Sequence, residues 1–194
     1  MKIKLEEADK KGTVSVEEAI ARRKSRRAFK SIKLTGKQLS QVLWAALKAP
    51  SAGATYPLAL YVVIGADCVE QIEAGVYHAE RGHSELERHK EGDLRAALAD
   101  ACLGQRFIAH APVSLVIAAE YERTTRRYGD RGVRYVLIEV GHASQNVYLE
   151  CEGLGLATVA IGAFYDEAVS RVLDLPRQHR PLYVMPVGAS AEKL

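Results

Sequence analysis

The stretch over residues 135–164, read from Arg134 as RYVLIEVGHASQNVYLECEGLGLATVAIGAF, constrains the fold more than any other part of the chain. Val140, Ser144, Val147, Cys151 and Leu154 recur at steps of three and four, which is one stripe of an α-helix. Gly141, Ala143 and Ser144 lie close together on it, and small residues let another backbone approach, so a buried helix is expected. Leu137, Gly141 and Tyr148 offer a second small and apolar face, which a symmetric partner could cover. Gly153 and Gly155 end the helix, because glycine takes the left-handed conformation that terminates helices. Residues 157–161 then read as a short apolar strand, broken at Gly162. Gly162 and Ala163 form a turn without an obstructing side chain, able to lie against a flat ligand and offer N–H groups to it.

The chain has 194 residues, which is most simply one domain. With 48% hydrophobic and 26% charged residues it can bury a core of ordinary size. A net charge of +3 does not imply nucleic acid. Cys68, Cys102 and Cys151 make no C-x-x-C pair, and a reducing, cytoplasmic compartment is expected. No apolar run approaches the ~18 residues of a membrane span, and the polar start MKIKLEEADKK has no signal-peptide core.

Residues 1–13 read as a loose or dimer-wrapping arm, with Ile3 and Leu5 as its apolar anchors. Ser15 and Glu18 make a capping box for a helix running to about Lys24. Arg22, Arg23, Lys24, Arg26 and Arg27 follow almost without a break; taken alone, such a run is a solvated helix end or a nucleic-acid patch. Thr35 and Gln38 cap a helix with Leu39, Val42, Leu43, Ala46 and Leu47 on one face, ended by Pro50. Residues 51–57 are loop, Leu58–Ile64 an apolar strand, and Asp67 and Glu70 start a short helix ending near Gly75. Residues 77–92 and 120–130 read as polar loops, the first carrying His78, His83 and His89 at spacings that share no helix face, so a solvated loop is preferred to a metal site. A helix from Asp93 to Leu103, strands over 113–118 and 182–187, and a helix opened by Asp166 complete the pattern. Pro186 marks the last strand as an edge or an irregularity. Strands and helices alternate, so the class is mixed α/β (α+β) with three layers or fewer.

Several motifs fail. Residues 153–158 half-match G-x-G-x-x-G, but they follow a helix and open a strand, the reverse of a dinucleotide fingerprint. No P-loop and no G-x-S-x-G elbow occurs. His142, in mid-helix, reads as a core or interface histidine.

Three segments nevertheless resemble one family in the right order. Residues 23–29, RKSRRAF, resemble the "Arg-Arg-Ser-x-Arg-x-Phe" opening of the nitroreductase family of FMN enzymes. Residues 49–58, APSAGATYPL, are similar to its second motif in the "Pro-Ser-Ala-Gly…Tyr-Pro" form of the SagB-type dehydrogenase branch. Residues 141–164 resemble its core helix, strand and glycine-rich turn. The resemblance runs from about Val16 to Gly188.

It implies three layers, with a central mixed sheet of short strands flanked by helices and the long core helix at the dimer interface, and the following roles. Arg23 and Arg27, with Lys24 between them, would hold the FMN phosphate, a dianion that suits arginine forks. Ser25 would hydrogen-bond the flavin. Pro50, Ser51, Ala52 and Gly53 would reach the flavin from the other subunit. Gln105 would meet the pyrimidine edge, where an amide can donate and accept. Gly162 and Ala163 would lie beside the reactive N5. Lys193 would stand in for the family's C-terminal basic residue. No catalytic side chain is implied, and no metal. The resemblance further implies a homodimer with shared flavin sites, an NAD(P)H donor and a small-molecule acceptor such as a nitroaromatic or quinone, with no nucleic-acid or membrane partner. The alternatives are a SagB-type dehydrogenase or oxidase acting on a peptide or small metabolite, or a flavin-binding protein without turnover. Azoline oxidases of that branch are associated with a Lys-Tyr pair; here the nearest match is Arg127-Tyr128.

Overall fold

A computed structural model describes residues 2–81 and 85–192. At its centre lie β2 (Leu58–Ile64) and β5 (Val113–Glu120), apolar runs buried on both faces. Around them stand β1 (Lys2–Lys4), β3 (Gly75–Ala79), β4 (Glu85–Glu91), β6 (Leu156–Thr158) and β7 (His179–Ala189). The seven strands form one sheet in the order β1-β4-β3-β2-β5-β7-β6. Every pair of named strands is antiparallel, where the family resemblance led us to expect a mixed sheet. The difference arises because hairpins and long returns, not right-handed βαβ crossovers, join the neighbours.

The period of two decides the two cores. Leu60, Val62 and Ile64 face one side, with Leu115 and Ile117; Tyr61 and Val63 face the other, with Val116 and Val184. On the first side lie α2 (Gly36–Leu47) and α6 (Arg131–Gly153), bringing Leu39, Leu43, Val140 and Val147. On the second lie α3 (Arg95–Ala101), α4 (Phe107–His110) and α7 (Asp166–Leu173), bringing Leu98, Ile108 and Val169. The α/β/α layering is the expected one. α1 (Val16–Arg22) and α5 (Glu122–Tyr128) sit at the two ends of α6.

Local signals hold where they satisfy backbone groups. Ser15 accepts the Glu18 N–H, and Thr35 and Gln38 form a complete capping box. Three expectations are corrected, and the N-terminal arm has its Leu5 anchor. The polar segment 77–92 contains a β-hairpin; ELERHKE buries only Leu86 and becomes a strand through its ladders to β3 and β1. No helix follows Asp67; Asp67 and Gln71 adopt positive φ in a tight turn with a bridge between Val69 and Ile72. The polar segment 120–130 is largely α5, and α6 starts before Tyr135, at Arg131. The N-terminal arm is tied down: Leu5 is buried, Ser40 donates to the Glu6 carbonyl, and Gln41 exchanges hydrogen bonds of 2.8 and 2.9 Å with the Asp9 backbone. Pro186 lies in an interior strand, opposite the interruption between the Thr158–Val187 pair and the Ile161–Val184 bridge. Its missing N–H falls where that ladder is already broken.

Along α6, Val140, Ser144, Val147 and Cys151 are buried as the stripe requires. Tyr148 is buried too, not part of a second outer face. The outer face comprises Val133, Leu137 and Ile138, each more than 40% exposed, together with Gly141.

Candidate functional site

The basic run leaves α1 at Arg23 and crosses the C-terminal part of α6, with the Arg26 N–H on the Thr158 carbonyl at 3.0 Å. It is not a solvated helix end. Arg26 is 2% exposed and ion-paired with Glu152 of α6, itself buried. Pinning Arg26 inward turns its neighbours out. Arg23 lies over the Tyr148 ring at 5.3 Å from its centroid, and Arg27 lies 5.9 Å from the Phe107 centroid. Arg22, Lys24 and Arg26 have carboxylate partners in Glu18, Glu192 and Glu152; Arg23 and Arg27 have none among the described residues.

The same cluster gathers the glycine-rich turn. Ser25 Oγ and Tyr148 Oη are 2.8 Å apart, and the Ala160 N–H donates to Tyr148 Oη at 2.8 Å. Gln105 Nε2 donates to the Cys102 carbonyl at 2.9 Å and to the Ala163 carbonyl at 3.1 Å. Gly162 passes the Tyr183 ring, and both turn residues are exposed. Arg23, Ser25, Arg27, Gln105, Gly162 and Ala163 are therefore brought together, with Lys24 at the rim on Glu192 at 3.2 Å. Lys193 lies outside the described residues.

The loop of Pro50, Ser51, Ala52 and Gly53 belongs to a second group, at the other end of α6. Ser51 Oγ accepts the Tyr56 N–H at 2.8 Å, and Thr55 Oγ1 meets Thr124 Oγ1 at 2.8 Å. Gly53 has φ +57°, which favours glycine, and a Cβ there would stand 2.3 Å from Tyr128 Oη, so that side chain would have to shift. Arg127 Nη1 donates to the Gly53 carbonyl at 3.0 Å. Arg81, from the end of the β3–β4 hairpin, stacks on Tyr56 at 3.9 Å and donates to the Ala49 carbonyl at 3.2 Å. Both segments read as polar loops thus touch this loop. Glu139, on α6 beneath it, and Tyr148 are nine residues apart, roughly 14 Å along the helix. Among the described residues no hydrogen bond or ion pair joins the two groups.

Sequence reasoning passed over Arg26, Glu152, Tyr148 and Glu139. The one available signal for the first was an arginine in a dense basic run on a chain with acidic residues inside its core helix. Cys102 and Cys151 are buried, and burial pushes the Cys102 thiol up to about 12 and raises Cys151 as well. His78, His89 and His179 gather around Tyr61, whose Oη lies 2.7 Å from His179 Nδ1; His83 lies outside the described residues. Burial lowers the pKa of His78 and His179. Among the described residues no His, Cys, Asp and Glu cluster has the geometry of a metal site, and no helix is long and apolar enough to cross a membrane.

Comparison with known proteins follows the same geometry. A Methanocaldococcus jannaschii protein described as a "putative nitroreductase" is 45% identical over 188 residues, 92% of this chain and 93% of its own length. A Ralstonia eutropha "putative nitroreductase" structure matches with a TM-score of 0.84 at 27% identity, over 99% of this chain and 90% of that one. An Anabaena variabilis "putative nitroreductase" matches at 0.87 and 24% identity over 98% of this chain, which spans 42% of that longer chain. An NADPH:FMN oxidoreductase of Vibrio harveyi, solved with NAD+, matches at 0.70 and 21% identity over 91% of this chain and 69% of its own; these last two likenesses concern the fold alone. A model of the nitroreductase family matches residues 20–189, nearly the span of the resemblance from about Val16 to Gly188, and the chain belongs to that family of oxidoreductases.

Proposed function

We propose that this protein is an FMN-dependent oxidoreductase, working as a homodimer in a reducing, cytoplasmic compartment. The observation that carries the reading is the pair Arg23 and Arg27. Each rests on an aromatic ring, lacks a carboxylate partner among the described residues and flanks a buried arginine that fixes its position. Two unspent guanidinium forks suit a phosphate dianion. Ser25 and the Gln105 amide would hold the ring system, and the exposed backbone of Gly162 and Ala163 would let its reactive edge approach. When bound, FMN would supply two-electron chemistry, accepting hydride from NAD(P)H and returning it to an electron-poor acceptor such as a nitroaromatic or quinone.

The apolar outer face of α6 supports the homodimer. Exposed Val133, Leu137 and Ile138 with Gly141 form a surface a second copy could cover. A two-fold axis across α6 would also carry each Pro50–Gly53 loop toward the partner's arginines, joining the two groups that one chain keeps apart. Arg127 and Tyr128 lie against Gly53, but an arginine does not readily give up a proton as a lysine could, which weighs against azoline oxidation.

Acid release and chromatography of the cofactor from purified protein, with an absorbance spectrum before and after NAD(P)H, tests the reading. The expected result is FMN that bleaches on addition of donor. Predominant FAD, or a colourless protein that binds no FMN when titrated, would overturn it.

A further inference from the structure

Glu139 lies inside α6 and is 3% exposed. The Ser51 hydroxyl stands beside its carboxyl and favours the charged form, and the same Ser51 oxygen accepts the Tyr56 N–H at 2.8 Å. Arg81 and His142 lie near enough to lower its pKa, yet neither forms an ion pair with it among the described residues. Arg81 is committed elsewhere, to the Tyr56 ring and the Ala49 carbonyl.

A buried carboxylate is unfavourable unless its hydrogen bonds are worth more than its hydration. Here burial raises the Glu139 carboxyl above its ordinary range, and the Ser51 hydroxyl and the charges of Arg81 and His142 only partly oppose this. A side chain needed merely to fill space would be apolar. The loop above it needs a polar anchor, because Gly53, Ala54 and Tyr56 all take positive φ, at 57°, 55° and 45°. For alanine and tyrosine that conformation persists only where the surroundings impose it.

We propose that Glu139 is the positioning residue of the 49–57 loop: through Ser51 it holds the left-handed turn in the shape offered to the partner's flavin, while Arg81 clamps the loop's two ends. The inference rests on the reading of this loop as a flavin contact across the dimer. It adds that loop and dimer face share one rigid element. Glu139 points inward from the helix whose outer face carries Leu137, Ile138 and Gly141, so the pairing of two helices would also set where each loop sits.

Amide hydrogen exchange over residues 49–57, together with FMN titration of apoprotein, tests this in wild type, E139Q, E139A, S51A and the E139A/S51A double variant. E139A should speed exchange at the Tyr56 amide tenfold or more and weaken FMN binding by a similar factor. S51A should reproduce both effects, and the double variant should be no worse than either single one. E139Q, which keeps an acceptor for Ser51, should stay near wild type. Wild-type exchange in E139A, or effects of E139A and S51A that multiply in the double variant, would overturn the proposal. If E139A does not fold, S51A carries the test, and wild-type exchange there overturns it equally. Faster exchange with unchanged FMN affinity would support the anchor and count against a flavin contact across the dimer, so the two ideas fail separately.

Discussion

Two carboxylates are buried on α6, and they are buried for different reasons. Glu152, near the C-terminal end, meets the buried Arg26 in an ion pair formed across 126 residues of sequence. Glu139, nearer the opposite end, is buried beside the Ser51 hydroxyl and has no ion pair among the described residues. The first is a structural rivet: it pulls the middle of a basic run into the protein and leaves Arg23 and Arg27 outside. The second is the group proposed to hold a loop through the hydroxyl beside it. A charge matched by a charge makes a rigid point, whereas a buried carboxyl beside a hydroxyl has no charge to match its own, and its ionisation costs stability.

The comparison breaks most visibly at the Glu152 end. E152A leaves Arg26 buried without its partner, and removing one member of such a pair costs roughly 3–5 kcal/mol. Urea unfolding should register that loss. A double replacement of Arg26 and Glu152 by leucine should recover much of it, because the uncompensated charge is then gone. Loss of less than about 1 kcal/mol in E152A would mean the pair is not the rivet described.

Between the two ends stands Gly141, where an added Cβ would meet nothing within 4 Å of its own chain. G141L should therefore fold as a protomer yet shift the population from dimer to monomer and lose flavin with it. Light scattering beside flavin absorbance reports both, and a dimer of unchanged affinity would remove α6 from the interface.

Arg27 sharpens the Glu152 side. R27A should weaken FMN binding about ten- to hundredfold, the equivalent of roughly 1.5–3 kcal/mol for a charged hydrogen bond. R126A, whose arginine is exposed and paired with Glu122 at 3.0 Å, should leave FMN affinity near wild type. Equal losses from the two would show that the wrong arginines were assigned to the phosphate.

The smallest effect lies in pH dependence. Because burial raises the Glu139 carboxyl in the folded state, its stabilising contribution is complete below the ordinary carboxylate range and is lost as pH rises through the raised value. E139Q cannot ionise, so its melting temperature should rise relative to wild type as pH increases above about 4, the ordinary carboxylate range. Parallel curves for the two proteins would show that Glu139 does not ionise at a cost.

Much of this architecture is legible locally. Thr35 and Gln38 announce α2, and the uninterrupted run Leu58–Ile64 announces a strand covered on both faces. The motif residues Arg23, Ser25, Arg27, Gln105, Gly162 and Ala163 are recognisable one by one. β4 is not legible, because ELERHKE has no apolar face and becomes a strand only between β3 and β1. Arg26 is not legible either: nothing within a basic run marks which arginine will be buried.

The sequence by itself determined the periodic helices, the apolar strands and the residue types able to hold an anion and a flat ring, since each depends on neighbours a few positions away. Only the tertiary structure decided which arginine turns inward, which polar segment becomes a strand, and that the candidate site residues divide between the two ends of α6. Those outcomes depend on groups far apart in sequence competing for the same buried space. A charge or a backbone edge takes its role from whatever partner the fold brings to it.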